Sequence, residues 1–247
     1  MSEVTAREFP VLNWVPRFDE RSRAYPIREL LRPTLVRKDR LWRPGQILDQ
    51  GREGACVGFG WTAEALGSPV RVDLLWMKID APKEPNAFAR NVYHQAQKID
   101  QWEGEAYSGT SVLAGAKVMS SLGLLKQYRW AFSIDDVIDT VVSRGPVVIG
   151  IPWYYGMYTA PNGILKVSGS KVGGHCILVV GYKVSDPAFG GEDSLILQNS
   201  WGEGWGNKGL ARIRKSELAE LLKNGGESCV PVQRSYGRLF LSRWVSL

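Results

Sequence analysis

The chain has only two histidines, at 94 and 175, and three cysteines, at 56, 176 and 229, among its 247 residues. Two histidines with no paired-cysteine spacing cannot build a zinc site of the usual kind, so no metal is expected. Three thiols are too few, and odd in number, for a disulfide framework, which points to a reducing compartment. No Gly-x-x-x-x-Gly-Lys-[Ser/Thr] loop is present to cradle a nucleotide phosphate, and no cofactor is expected. No run approaches the ~18 apolar residues of a membrane-spanning helix. The opening residues, Met1-Ser-Glu-Val-Thr-Ala-Arg-Glu8, carry acids and lead into no apolar stretch, unlike a secretory signal. These absences lead us to expect a cytoplasmic protein, or one carried inside another particle.

With 44% hydrophobic residues, a chain of this length can bury a large core. Its net charge is +6, and residues 1–45 hold ten Arg/Lys against six Asp/Glu. These basic residues are scattered among acids, prolines and aromatics, without helix-turn-helix or zinc-finger spacing. An extended segment lying on the protein body fits them better than a nucleic-acid arm. Pro10, Pro16, Pro26 and Pro33 favour extended chain there. Trp14, Phe18 and Tyr25 are the expected anchors to the body, and control of latency is the alternative role for this segment.

Beyond residue 41 the chain reads as two halves. Cys56 opens a short apolar helix, Val57 to Leu66, which Gly67-Ser-Pro69 terminates; Gly58 and Gly60 weaken its propensity. A second helix over 86–99 carries Phe88, Val92, Ala96 and Ile99 on one face, with His94 off that stripe. Thr110 or Ser111 starts a third helix, through Leu122. Ser133-Ile-Asp-Asp136 has the cap spacing for a fourth, ending at Gly145-Pro146. After Pro146 come short β-rich runs at 147–151, 164–167, 175–184, 194–198 and 210–214, then a late helix from Lys215. Helices first and strands second define an α+β fold. A cleft between the halves is then the natural ligand site.

Three separated stretches carry chemistry: Gln50-Gly-Arg-Glu-Gly-Ala-Cys56, Gly-Gly174-His175-Cys-Ile-Leu-Val-Val-Gly-Tyr, and Gln-Asn199-Ser-Trp201-Gly-Glu-Gly-Trp-Gly. A thiol attacks as its thiolate, which a neighbouring imidazole stabilises by holding the proton. An amide can orient that imidazole through its other nitrogen. A second amide, Gln50, can donate to a developing oxyanion. A helix N-terminus at Cys56 would further favour the thiolate. By itself a lone cysteine is more often a buried structural thiol, and Cys176 and Cys229 are read that way. Cys176 follows His175 on a strand, so their side chains should point to opposite faces.

Together these stretches resemble the papain-like cysteine peptidases. Asn199-Ser-Trp-Gly-Glu-Gly-Trp-Gly is similar to the family's asparagine motif and Gly174-His175-Cys-Ile-Leu-Val-Val-Gly to its histidine strand. Gly145-Pro146-Val-Val-Ile-Gly-Ile and Tyr155-Gly-Met-Tyr158 through Ile164 resemble the strand and loop before it. The spacings from Cys56, 119 residues to His175 and 143 to Asn199, are close to the roughly 130–150 of such enzymes. Two departures stand out: Val57 replaces the usual aromatic after the nucleophile, and Glu53-Gly54 replaces the stretch with the family's extra cysteine. The resemblance implies a two-lobed fold. Residues 42–130 would form a helical lobe and 131–247 a β-barrel-like lobe, together one catalytic domain, with the active site in the cleft between them. It implies Cys56, His175, Asn199 and Gln50 as catalytic residues, Trp201 shielding the His–Asn bond, and Gly109, Gly174 and Trp201 along a polypeptide substrate. Residues 1–41 are too short and proline-rich for a long helical inhibitory propeptide. They are similar instead to the short leader of bacterial and viral members, which leaves association with a viral particle or its assembly open. Ligation through the same thioester, or a catalytically idle binding module, are the alternatives to hydrolysis.

Overall fold

A computed structural model describes residues 9–69, 71–75, 77–100 and 108–234. Five α-helices lie among them: α1 Cys56–Leu66, α2 Pro85–Ile99, α3 Val112–Ser121, α4 Ile134–Ser143 and α5 Lys215–Lys223. The strands are β1 Arg40–Leu41, β2 Leu125–Trp130, β3 Val147–Tyr154, β4 Lys171–Lys183, β5 Ser194–Gln198, β6 Leu210–Arg214 and β7 Glu227–Arg234. They form one antiparallel sheet in the order β2-β7-β3-β4-β5-β6, with β1 pairing to β4. The fold is α+β, helices early and sheet late.

Two apolar clusters divide the interior. One joins α1, α2 and α3 to the face of the sheet that carries Val148, Cys176, Leu178 and Cys229. The other packs α4 and α5 against the opposite face, with Ile149, Ile151, Ile177, Val179 and Leu197. The sheet is therefore covered on both sides. That explains why β3 and β4 read as continuous apolar runs rather than as alternating ones.

α1 is the central helix, with ten of its residues buried, and its two weak helix formers are there for packing. A Cβ on Gly58 would lie 2.2 Å from the Ala89 carbonyl oxygen on α2, and one on Gly60 would lie 2.9 Å from the Cys176 sulfur. Lost propensity is exchanged for close approach of α2 on one side and β4 on the other. α3 and α4 start where their caps dictate: Ser111 Oγ accepts from Ala114 N at 3.2 Å, and Ser133 Oγ from Asp136 N at 3.1 Å.

Several local expectations need correction. The run 164–167 is not a strand; Ile164 makes a single bridge to Arg212. Ile99 lies at the end of α2 and is 48% exposed, off the buried stripe of Phe88, Val92 and Ala96. β2 and β7 were not anticipated, and they pair with one another.

The basic N-terminal stretch lies on α4. Arg28 pairs with Asp136, and Arg37 reaches Asp139 at 2.7 Å and Asp135 at 2.8 Å. Trp42 Nε1 donates to Val141 O at 2.7 Å. The acids of the first turn of α4 also complement its helix dipole, so these arginines meet an acidic surface of their own chain. Trp14 is buried, and Phe18 packs edge-on to Trp130, whereas the Tyr25 ring is exposed and only its backbone is held.

Candidate active site

Cys56 is the first residue of α1, where unpaired helix N–H groups converge, and it is fully buried. Backbone N–H groups of Cys176 and of Asn13 face its sulfur, yet burial dominates and pushes the thiol above its ordinary value. His175 lies on β4 beside Cys176, also fully buried. Its Nε2 donates to Asn199 Oδ1 at 2.8 Å, while its Nδ1 has no hydrogen-bond partner among the described residues. Burial lowers the imidazole to about 4, against the opposing pull of Asn199. Both groups are therefore neutral here near neutral pH: a thiol and an imidazole, not an ion pair. Cys176 turns away from His175 into the α1 cluster, as strand alternation requires.

Aromatic rings wall the imidazole. Trp201 lies at 4.8 Å between ring centroids, and Trp153 meets it edge-on at 4.6 Å. The His175–Asn199 bond is buried, and in this low-dielectric surround it is stronger. Gln50 is buried and fixed from three directions: its N bonds to Ser200 O at 2.9 Å, its Oε1 accepts from Ser200 Oγ at 2.7 Å, and its Nε2 donates to Glu53 O at 2.8 Å. Ser200, between Asn199 and Trp201, ties the loop before α1 to the asparagine loop after β5. The sequence signal for this role was only its place inside the Asn-Ser-Trp motif.

The cleft is filled by the chain's own N-terminal segment. Val11 O accepts the remaining Gln50 amide proton at 3.1 Å. Trp14 N donates to Gly174 O at 3.0 Å, Thr110 N donates to Asn13 O at 3.2 Å, and Val15 N donates to Thr110 O at 3.0 Å, a parallel bridge. Residues 11–15 therefore pass over Cys56 and between Thr110 and Gly174. The glycines make room: a Cβ on Gly109 would meet Asn13 O at 2.3 Å and one on Gly174 would meet Trp14 O at 2.6 Å. Gly109 holds φ +106° and donates its N–H to the Tyr93 hydroxyl at 3.0 Å, so the paired backbone contacts fall to Thr110 rather than to Gly109.

The Trp14 indole ends on an acid that sequence reasoning missed. Its Nε1 donates to Glu227 Oε1 at 2.8 Å, Val112 N donates to the same oxygen at 3.3 Å, and Oε2 has no partner among the described residues. Burial, with a smaller contribution from Asp100, raises this carboxyl to about 7. The signal in the sequence was a lone acid opening the apolar run Ser228-Cys-Val. His94 lies away from all of this, exposed on α2 and 3.0 Å from Glu53. No cluster of three potential metal-ligating side chains occurs among the described residues.

Comparison with solved structures gives the fold class first. The chain superposes on xylellain, a cysteine protease from Xylella fastidiosa, over 96% of its own length and 100% of that chain (TM-score 0.65, 18% identity). For procathepsin L2 of Tenebrio molitor the shares are 90% and 78% (TM-score 0.55, 18% identity). The fold is papain-like. The profile of the papain family of cysteine proteases matches residues 89–227, more than half of the chain. The chain belongs to the papain family. The matched residues include His175, Asn199 and Glu227 and exclude Gln50 and Cys56. Among curated relatives, cathepsin B-like protease 1 of Arabidopsis thaliana is 33% identical over 89 residues, 36% of this chain and 23% of that protein. Cathepsin Q of Rattus norvegicus is 30% identical over 91 residues, 34% and 25% respectively. The matches span about a quarter of the length of these relatives.

Proposed function

We propose that this protein is a cysteine peptidase cleaving polypeptides through a thioester, with residues 42–130 and 131–247 as the two lobes of one catalytic unit. Cys56 is the nucleophile. His175 takes its proton, delivers it to the leaving amine and then activates the hydrolytic water. Asn199 holds the imidazole, and Gln50 with the Cys56 N–H stabilises the oxyanion. The observation that carries this reading is the Val11 carbonyl held by the Gln50 amide, while the Asn13 N–H of the same segment faces the Cys56 sulfur. A peptide carbonyl held by that donor, in a segment that also reaches that thiol, supports the assignment of Gln50 as the oxyanion donor. Papain-family membership supports it.

The same segment makes the closed conformation inactive. With residues 11–15 in the cleft and both reacting groups buried and neutral, turnover requires the segment to swing out, rehydrating the pair so that the thiolate–imidazolium form becomes accessible. The decisive experiment is cleavage of a peptide library by the full chain and by Cys56→Ala, with iodoacetamide labelling at mildly acidic pH to locate the reactive thiol. Cleavage that disappears with Cys56 supports the reading. Cleavage that persists in Cys56→Ala, or a Cys56 no more reactive than in denatured protein after the segment is released, overturns it.

A further inference from the structure

The loop that presents Gln50 has little structure of its own. Residues 49–55 form turns and bends, two of the seven are glycines, and Gly51 holds φ +61°. The loop contains no cysteine, so nothing covalent ties it to a neighbour. Ser200 holds one flank, through Gln50 N and Oε1. The other flank lies on the polar face of α2.

Three side chains of α2 meet the loop at intervals of about one helical turn, Asn86, Arg90 and His94, a spacing that sets them on one face. Asp49 N donates to Asn86 Oδ1 at 2.9 Å. Arg90 Nε lies 3.3 Å from Glu53 Oε2, and His94 Nε2 lies 3.0 Å from Glu53 Oε1, so each carboxylate oxygen has its own partner. Asn86 is itself turned by Glu84, whose Oε1 accepts from Asn86 Nδ2 at 3.2 Å, which leaves Oδ1 toward the loop. The opposite face of α2 is buried through Phe88, Ala89, Val92, Tyr93 and Ala96, so the helix is a fixed support.

Glu53 links this support to the site. Its side chain meets α2, while its backbone carbonyl accepts from Gln50 Nε2 at 2.8 Å. With one amide proton held by Glu53, the planar amide aims the other at Val11 O. We infer that Glu53 is a positioning residue of the proposed reaction: Arg90 and His94 grip its carboxylate, and its carbonyl sets the angle at which the Gln50 amide meets the oxyanion. This rests on the peptidase reading and deepens it. The ion pairs are partly exposed and contribute little to global stability. Their effect is local, because a loop rich in glycine has many other conformations to visit.

The test measures kcat and KM on one internally quenched peptide, using the full chain. Glu53→Gln keeps the carbonyl and the side-chain size but removes the charge. Its kcat should fall about three- to ten-fold, less than the roughly 100-fold that a 1 Å misplacement costs. KM should not rise, because a loosened Gln50 also weakens the hold on Val11 and the segment competes less well with substrate. In a Gln50→Ala chain, Glu53→Gln should lower kcat no further, since Glu53 acts through that amide; such non-additivity marks coupled residues. Arg90→Ala combined with His94→Ala should reproduce the loss from the α2 side, whereas Arg90→Lys, which keeps the charge, should stay near wild type. Amide hydrogen exchange over residues 49–54 should quicken in Glu53→Gln with the melting midpoint unchanged. A wild-type kcat in Glu53→Gln, a loss equally large in the Gln50→Ala chain, or unchanged exchange overturns the role while leaving peptidase activity intact. Failure of the peptidase reading looks different: the peptide is cut neither by wild type nor by Trp14→Ala, although Cys56 of Trp14→Ala alkylates readily. Glu53 then has no reaction to position, and the inference falls with it.

Discussion

Under the proposed mechanism Gln50 serves two states. In the closed state its amide holds Val11 in place, and in the reacting state the same proton would meet the oxyanion. Gln50→Ala should therefore act in opposite directions on two assays. Turnover should fall roughly 100- to 1000-fold, the usual effect of losing an oxyanion donor, while iodoacetamide should reach Cys56 faster because an anchor of the segment is gone. A variant that slowed both reactions would mean that Gln50 is purely structural. Ser200→Ala is the milder companion. It removes the hydroxyl that fixes Gln50 Oε1 at 2.7 Å, a single buried hydrogen bond of about 1 kcal/mol. We expect a loss of roughly three- to ten-fold in kcat, measured on any cleaved peptide, with KM little changed.

At the scale of elements, residues 11–15 are an extended segment joined to Thr110 by a single parallel bridge, and Trp14 is its main anchor. Trp14→Ala removes a buried indole and its bond to Glu227, a change that costs about 3–5 kcal/mol where no relaxation compensates. Because the loss falls on a terminal segment, it should appear as local opening. Cys56 alkylation should accelerate at least about ten-fold with little change in the midpoint of global unfolding; an unchanged alkylation rate would show that the segment is not the barrier. The sequence marked Trp14 as an anchor, through an isolated tryptophan among prolines, but not what it covers, because nothing local records that residues 14 and 227 meet. β2 and β7 were illegible for a related reason: β7 contains Pro231 and opens on the acid Glu227, and it becomes a strand through pairing with β2 and β3 rather than through its own pattern. The run 164–167 erred the other way: its β-prone residues make one isolated bridge to Arg212 and join no named strand. Cys56, His175 and Asn199 stood out in the sequence because each sits in a motif similar to the family's, and the structure hydrogen-bonds His175 to Asn199. The glycines of α1 were readable only as weak helix formers until α2 was seen against them. Gly58→Ala should accordingly destabilise by about 1–3 kcal/mol through overpacking, lowering the melting temperature roughly 2–12 °C for a chain of this size. A calorimetric scan showing no loss would mean that α1 and α2 can slide apart.

For the molecule as a whole, two buried groups at the cleft set opposing pH dependences. Burial lowers His175 from 6.5 to about 4, so between those values the unfolded chain binds the extra proton and acidification weakens the fold. Glu227 is raised from 4.5 to about 7, so over that range the folded chain holds the extra proton and acidification strengthens it. Each window spans 2.5 pH units, by 6.5 − 4 and by 7 − 4.5, and corresponds to about 3 kcal/mol at ~1.36 per unit. The two contributions nearly cancel from pH 6.5 down to 4.5, and wild-type stability should owe little slope to this pair. Removing either partner should expose the other. Glu227→Gln keeps an acceptor for Trp14 but cannot take up the proton. Its melting temperature should therefore fall, relative to wild type, on going from pH 6.5 to 4.5, by roughly 6–12 °C if the full ~3 kcal/mol is expressed. His175→Ala should show the reverse, a rise relative to wild type over the same interval. Calorimetric scans of the three proteins across that interval decide the matter. If the variants run parallel to wild type, the cleft is already open and hydrated in solution, and the closed arrangement of residues 11–15 is not the dominant state.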